Sequence, residues 1–232
     1  MARRATFFTS ARENPGTVIL DGGYEFSPLG LETDRHPAVV GDIKRAYDLL
    51  GYDIALLSPA DANVFSHTGI DPGPAWKGPL TKPEAVVREV PGGSLAFILF
   101  PDSGEHDAAQ ENELIRLAES LRAQGRHNLI IGVSTWGADR EMDFIDRRGA
   151  VFDIIFGSGK GPGYTGLFLR DNSVLLVRAF TKGKYVNSVI IPALPAPGTK
   201  IVWNPQASVM TEAVPLGGNV PPDSRIEGIF TP

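Results

Sequence analysis

The sequence contains no cysteine and only four histidines. The missing cysteines exclude disulfides, zinc sites built from thiolates and a cysteine nucleophile. The longest apolar runs, such as residues 94–100, fall far short of the roughly 20 residues that a transmembrane helix needs. Positive charge is also scarce, because 22 Lys and Arg stand against 27 Asp and Glu and give a net charge of −5. This balance argues against a general nucleic-acid-binding protein, since phosphate neutralisation needs clustered positive charge.

The overall composition is typical of a globular protein. Its 232 residues, 42% of them hydrophobic, favour one large domain with a sizeable core. Residues 1–14 are polar and basic and lead into no apolar segment, so we predict no signal peptide. This leaves open both a cytoplasmic protein and an exported protein that is numbered from its mature start.

The hydrophobic pattern predicts helices alternating with strands, followed by a run of hairpins. Helices are predicted at residues 2–13, 38–50, 60–65, 107–124 and 139–147. Strands are predicted at residues 17–20, 53–57, 85–90, 94–100, 129–133, 152–156, 167–170, 172–180 and 184–191. The tail from residue 192 is Pro-rich and predicted to be mostly irregular. This order favours two facing sheets covered by helices.

Five loops are predicted at the carboxyl ends of the parallel strands, where the sites of open α/β sheets usually lie. They are residues 21–25, 58–61, 101–106, 134–137 and 157–163. We expect any functional site to be built from these loops.

Several segments together resemble a known family. They are ARRATFF, ENPGTVILDGGYEF, LLGYDIALLSPAD, LIIGVSTWG, FDIIFGSGKG and TKGKYVNSVII. In this order they resemble metallophosphoesterases of the calcineurin-like superfamily, 5′-nucleotidase (UshA-like) type. The resemblance implies a four-layer α-β-β-α sandwich whose two metal ions activate a water against a phosphate ester. It makes residues 1–191 one domain and residues 192–232 an extension that packs on that domain or on a partner.

The resemblance also implies which positions should hold the metals. The first strand of the family, with its Asp-x-His pair, is absent from this sequence. At the matching positions that remain, the loop after Asp21 has Tyr24 where the family has a bridging carboxylate, and the other ligand positions hold Pro59, Ala60, Thr135, Gly159 and Gly161. Because these residues offer no carboxylate or imidazole ligand, the resemblance favours the fold and argues against the activity.

Two weaker signals remain at the predicted loops. Ser158, Gly159 and Lys160 follow a strand and resemble an anion-binding loop, and the favoured alternative is a shaped structural turn. Residues Asp102, Glu105, His106 and Asp107 form the densest group of possible metal ligands. Their alternative role is a solvated loop in which Ser103 or Asp107 caps the following helix. We expect Trp136 to fill the space that the metals would occupy.

Three functions follow from these observations. The first is a non-catalytic metallophosphoesterase-like protein that serves as a binding or structural component of a larger assembly. The second is a metal-dependent hydrolase whose relocated site uses Asp21, Asp61, Asp102 and His106, with Asp102 and His106 as the alternative metal pair. The third is a sensor of a small anion or nucleotide at Ser158–Lys160.

The sequence and the resemblance also lead to expectations about cofactor, partner and location. We predict no cofactor, no membrane span and no nucleic-acid partner. A protein partner or a second copy of the chain is expected, and it would complete the missing strand. The family is usually exported, so the resemblance implies a periplasmic or extracellular protein.

Overall fold

A computed structural model describes residues 1–27, 37–102, 107–180 and 183–230. Its helices are α1 (Ala2–Ala11), α2 (Pro37–Leu50), α3 (Pro59–Thr68), α4 (Ala108–Ala123), α5 (Ala138–Arg147) and α6 (Ser224–Phe230). Its strands are β1 (Leu20–Asp21), β2 (Ile54–Leu56), β3 (Trp76–Lys77), β4 (Glu84–Val90), β5 (Gly93–Leu99), β6 (Leu129–Ser134), β7 (Ile154–Gly157), β8 (Tyr164–Leu169), β9 (Val174–Arg178), β10 (Tyr185–Ile190) and β11 (Met210–Pro215). None of the helices in these described ranges is both long and apolar enough to cross a bilayer.

The chain divides into two compact units, which are described separately. Unit 1 contains Met1–Pro79 with the described parts of Thr181–Val186 and Pro215–Pro232. Unit 2 contains Leu80–Phe180 and Asn187–Val214, again within the described ranges. The predicted division at residue 191, the four-layer sandwich and the absence of a first strand stay predictions.

Unit 1 is built on a three-stranded parallel sheet in the order β1-β2-β3. In α2 the apolar residues recur at helical spacing, and Val40, Ile43, Tyr47 and Leu50 are buried as a result. The core contains edge-to-face aromatic contacts. The centre of the Phe26 ring lies 4.5 Å from that of Phe65 and 5.0 Å from that of Trp76.

Unit 2 is built on a six-stranded sheet in the order β4-β5-β6-β7-β9-β8. Strands β5, β6, β7 and β9 are parallel, and only β4 and β8 pair with their neighbours in the antiparallel direction. The parallel strands are continuous apolar runs because both faces of the sheet are covered. Helices α4 and α5 contribute Leu114, Ala118 and Phe144 to this core. The architecture is therefore a mixed α/β fold with a mainly parallel sheet.

Most predicted elements are confirmed, and their observed ends differ from the predicted ends by at most three residues. The predicted hairpin at residues 85–100 is β4 and β5. The tail is mostly irregular, as predicted, but it contains two elements that the sequence did not indicate: β11, which pairs with β10, and α6. The tail also packs closely: Trp203 is 2% exposed, and its Nε1 donates to the carbonyl of Asp153 at 2.9 Å.

Candidate functional site

In unit 1, the loop that follows β1 is organised by one buried carboxylate. Asp61 lies at the third position of α3, where it forms a capping box with Ser58. Its two oxygens accept hydrogen bonds from the amides of Ser58 (3.1 Å), Tyr24 (2.6 Å), Phe26 (2.9 Å) and Ser27 (2.8 Å) and from Ser58 Oγ (2.8 Å). A carboxylate offers roughly four lone-pair directions, so these five donors use its whole capacity to accept hydrogen bonds. Asp61 therefore holds the β1 loop against the start of α3.

Asp21 ends β1 and is 5% exposed. Its Oδ2 accepts a hydrogen bond from the amide of Gly23 at 3.2 Å. Burial raises the pKa of Asp21 well above its ordinary value of 3.8, and the nearby carboxylates of Glu25 and Asp61 raise it further. Arg4 acts in the opposite direction but does not outweigh burial. Asp21 is thus a buried acid that stays protonated at pH values where an exposed aspartate is ionised.

A charged cluster, formed by Arg4, Glu25, Tyr47 and Tyr52, lies beside Asp21. Arg4 donates to Glu25 and to the hydroxyl of Tyr52 (2.9 Å), and the hydroxyl of Tyr47 donates to the other oxygen of Glu25. Burial raises the pKa of both tyrosines, so both hydroxyls remain neutral. Sequence reasoning missed this cluster, because no local spacing connects Arg4 in α1 with Glu25 in the β1 loop.

In unit 2, Asp102 connects the loops that follow β5 and β6. Its Oδ1 accepts a hydrogen bond from Thr135 Oγ1 at 2.9 Å, and its Oδ2 accepts one from the amide of Leu80 at 3.2 Å. His106 and Glu105, its predicted neighbours at a metal site, lie outside the described residues together with Ser103. Asp107 caps α4 as predicted, since its Oδ1 accepts from the amides of Ala109 and Gln110.

Trp136 is half-buried and contacts several groups of unit 2. Its Nε1 donates to the carbonyl of Pro101 at 2.7 Å, and its ring centre lies 4.8 Å from that of Phe100. The guanidinium of Arg140 lies over the indole at 3.6 Å from the ring centre. Trp136 therefore fills space between the loops that follow β5 and β6.

In the glycine-rich loop after β7, the backbone carbonyls are held by donors of unit 2. The amides of Gly137 and Ala138, at the start of α5, donate to the carbonyls of Ser158 (3.1 Å) and Lys160 (2.8 Å). The guanidinium of Arg178 donates to the carbonyls of Gly159, Lys160 and Pro162 at 2.9–3.2 Å. The helix N-terminus that an anion would approach is thus already capped by this loop.

The glycines and serine of this loop have structural roles. A Cβ on Gly161, whose φ is +114°, would lie 2.5 Å from the Cβ of Ala138. The Ser158 amide and hydroxyl both donate to the carbonyl of Ser134. The Lys160 side chain is exposed. Anion binding at Ser158–Lys160 stays a prediction.

Beneath this loop, Arg178 on β9 is paired with Glu141 on α5. The two side chains are 1% and 0% exposed. Burial raises the pKa of Glu141 to about 7, although the charge and hydrogen bond of Arg178 lower it. The pair fits only because residue 157 is glycine, since a Cβ there would lie 2.1 Å from Glu141 Oε2. Sequence reasoning missed both residues, because a buried pair 37 positions apart leaves no local pattern.

The described residues do not fit the two-metal centre that the resemblance implies. Across residues 1–27, 37–102, 107–180 and 183–230, no group of three or more His, Asp or Glu side chains could hold a metal ion. The carboxylate oxygens of Asp61 and Asp102 accept hydrogen bonds from protein donors, and one of the donors to Asp102 is the hydroxyl of Thr135. Tyr24, Pro59, Ala60, Gly159 and Gly161 offer no carboxylate or imidazole.

Comparison with known proteins identifies the type of fold. No protein-family model matches the chain, and no curated protein matches it. Among solved structures, the sulfate thiohydrolase SoxB of Thermus thermophilus matches with a TM-score of 0.73 and 15% identity over 99% of this chain and 45% of that one. A putative 5′-nucleotidase from Staphylococcus aureus matches with a TM-score of 0.63 and 10% identity over 98% of this chain and 51% of that one. The fold is of the metallophosphoesterase type.

The similarity covers only part of the solved structures. The chain spans about half the length of the SoxB and 5′-nucleotidase structures, with 45% and 51% of them covered. GAP50 of Plasmodium also matches, with a TM-score of 0.44 and 12% identity over 91% of this chain and 73% of that one. At identities of 15% and 10%, the SoxB and 5′-nucleotidase structures show the fold alone.

Proposed function

We propose that this chain is a non-catalytic protein of the metallophosphoesterase fold that serves as a binding or structural component of a larger assembly. The observation that carries the proposal is the saturation of Asp61 by five protein donors. A metal ion could take this carboxylate only by displacing backbone amides that hold the β1 loop, and buried amides without a partner are costly. The carboxylate is used for folding and is not available for a cation.

A divalent cation at the loop ends would need several oxygen or nitrogen ligands with lone pairs directed at one point. At the positions that match the family, the residues are Tyr24, Pro59, Ala60, Thr135, Gly159 and Gly161. None of these residues offers a carboxylate or an imidazole. Their identity supports a 5′-nucleotidase-like ancestry in which the metal ligands have been lost. Location outside the cytoplasm is part of the same proposal and rests on that ancestry alone.

The proposal is tested by hydrolysis and by metal content. We expect protein purified without chelators to contain no stoichiometric transition metal in elemental analysis. We also expect no hydrolysis of p-nitrophenyl phosphate or AMP with added Mn²⁺, Zn²⁺ or Mg²⁺, under conditions in which an active 5′-nucleotidase turns over. Metal-dependent turnover that disappears in an Asp102→Ala/His106→Ala variant would establish the relocated hydrolase site instead.

A small-anion sensor is the second candidate, and one observation favours it. The Lys160 side chain is exposed, while its carbonyl is fixed by the amide of Ala138 and by Arg178. The ammonium group therefore extends from a backbone turn that these hydrogen bonds hold in place. Phosphate or AMP that binds there would raise the melting temperature of the wild-type protein and leave that of Lys160→Ala unchanged. Equal melting curves with and without these anions would eliminate the sensor.

A further inference from the structure

Arg178 holds the glycine-rich loop after β7 through most of its guanidinium group. Its Nε donates to the carbonyl of Pro162 at 2.9 Å, and its Nη2 donates to the carbonyls of Gly159 (3.2 Å) and Lys160 (3.1 Å). Its Nη1 donates to Oε2 of Glu141. One nitrogen of the guanidinium therefore binds the carboxylate, while the other two nitrogens bind the loop.

The carboxylate of Glu141 loses more hydration than this contact replaces. Its side chain is 0% exposed. A buried ion pair compensates for lost hydration only where further hydrogen bonds satisfy the remaining lone pairs. Burial raises the pKa of Glu141 from 4.5 to about 7, although Arg178 on β9, the hydroxyl of Ser134 at the end of β6 and the amide of Ser158 all lower it. Of these three groups, Arg178 alone is charged.

The start of the glycine-rich loop covers this carboxylate. Gly157 lies directly against it, because a Cβ at that position would be 2.1 Å from Glu141 Oε2. The amide of the next residue, Ser158, acts on the same carboxylate. A displacement of the loop would therefore admit water to Glu141, and its pKa would return toward the ordinary value of 4.5.

The two protonation states of Glu141 therefore favour different positions of the loop. With the loop closed, Glu141 binds its proton more tightly than it does with the loop displaced. By linkage, the proton stabilises the closed loop, and this stabilisation is complete below the lower of the two pKa values. It is lost as the pH rises from about 4.5 to about 7, and it is absent above that range.

We propose that Glu141 and Arg178 form a proton-controlled latch, which keeps the glycine-rich loop closed while Glu141 carries a proton and loosens the loop as Glu141 ionises. The loop carries the exposed side chain of Lys160. The latch therefore makes the presentation of this ammonium group depend on pH. It goes beyond the proposed function and does not depend on the absence of catalysis, so the hydrolysis assay and the measurements below succeed or fail separately.

The first test follows hydrogen exchange at the amides of Gly137 and Ala138. These amides donate to the carbonyls of Ser158 and Lys160, so they exchange faster when the loop is loosened. In wild type, their protection relative to an unfolded chain at the same pH is expected to fall by up to about 300-fold between pH 4.5 and pH 7 and to level off above. This limit follows from the two pKa values of 4.5 and about 7, since each unit of difference is a factor of ten.

A reference amide within the same molecule separates loosening of the loop from a general loss of stability. The amide of Phe100 donates to the carbonyl of Val133 at 2.9 Å, between the paired strands β5 and β6. Its protection is expected to stay nearly constant over the same pH range. Parallel changes at Phe100, Gly137 and Ala138, or unchanged protection at Gly137 and Ala138, would overturn the latch.

The second test replaces the titrating group. Glu141→Gln is neutral at every pH, so the protection of Gly137 and Ala138 is expected to become independent of pH. The matched control is Glu111→Gln, which neutralises another buried glutamate, 2% exposed and paired with Arg147. It is expected to keep the pH dependence of wild type.

Both variants are first required to unfold cooperatively. If Glu141→Gln does not fold, the wild-type series decides by itself, because the loop amides and the reference amide are measured in one molecule. A Glu141→Gln variant that folds and keeps the wild-type pH dependence at Gly137 and Ala138 would show that Glu141 does not control the loop.

Discussion

Arg178 and Glu141 form an ion pair whose side chains are 1% and 0% exposed. The same guanidinium donates to three carbonyls of the loop after β7, at Gly159, Lys160 and Pro162. One side chain therefore fixes strand β9, helix α5 and the glycine-rich loop to one another. This buried guanidinium therefore organises the loop.

Removing one member of this pair is expected to cost much more stability than removing an exposed pair. Arg178→Met removes the buried cation that pairs with Glu141 and the hydrogen bonds that it donates to three carbonyls, and we expect a loss of about 3–5 kcal/mol in the free energy of unfolding. The double variant Arg178→Met/Glu141→Met is expected to recover part of this loss, because no buried charge remains. Urea denaturation measures both.

The matched control is the ion pair between Arg147 and Asp143, whose side chains are 45% and 44% exposed. Asp143→Asn is expected to cost less than about 1 kcal/mol, because solvent screens an exposed pair. Equal losses for Arg178→Met and Asp143→Asn would show that Arg178 is not the organiser of the loop.

Gly157 is expected to tolerate no side chain. The Cβ of Gly157→Ala would lie 2.1 Å from Glu141 Oε2, and both side chains of the charged pair are fully buried, at 1% and 0% exposure. We expect a loss of about 1–3 kcal/mol, as in other overpacked cores. Gly218→Ala is the control, since nothing lies within 4 Å of the Cβ position there. Thermal melts of the two variants should differ clearly, and similar melts would refute the tight fit.

Much of the fold could be predicted because it follows from local patterns. The apolar periodicity of α2 and the continuous apolar runs of β5 and β6 are readable without tertiary information. Strand β3 was missed because its two residues, Trp76 and Lys77, pair with β2 in a segment that has no strand pattern. Strand β11 was missed because it lies in a Pro-rich tail, whose composition favours irregular structure.

The candidate site was less predictable, because its residues come together from distant positions in the sequence. Local sequence predicted the α4 cap at Asp107 correctly, because a cap depends on the next three residues. The partners of Asp61 in the β1 loop are 34 to 37 positions away, and no local rule indicates them. The charged cluster of unit 1 and the buried pair of unit 2 likewise depend on chain folding alone.

The buried acid Asp21 predicts a definite pH dependence. Its pKa is raised above the ordinary value of 3.8, so above that pH the folded chain binds more protons at this site than the unfolded chain does. By linkage, this group lowers the free energy of unfolding as pH rises, by at most about 1.4 kcal/mol per pH unit. Asp21→Asn removes the group and its contribution.

Asp21→Asn is therefore expected to gain stability relative to wild type as pH rises from about 4 to about 8, with the difference smallest at the acid end. Urea denaturation at several pH values measures the difference, and Asp48→Asn, at an exposed position of α2, serves as the control. A difference independent of pH, or one that grows toward acid, would contradict the raised pKa. A metal ligand would behave differently, since Asp21→Asn would then abolish any stabilisation by added divalent cation.

The last prediction concerns the part of the tail that belongs to unit 2, where Trp203 is buried. Trp203 is 2% exposed and donates to the carbonyl of Asp153, and its own amide donates to the carbonyl of Asn172 at 2.7 Å. Trp203→Ala is expected to cost about 3–5 kcal/mol, because it opens a large cavity. Val202→Ala, at a neighbour that is 70% exposed, is expected to change the free energy of unfolding by less than about 0.5 kcal/mol. If Trp203→Ala were as stable as Val202→Ala in urea, the tail would not contribute to the core.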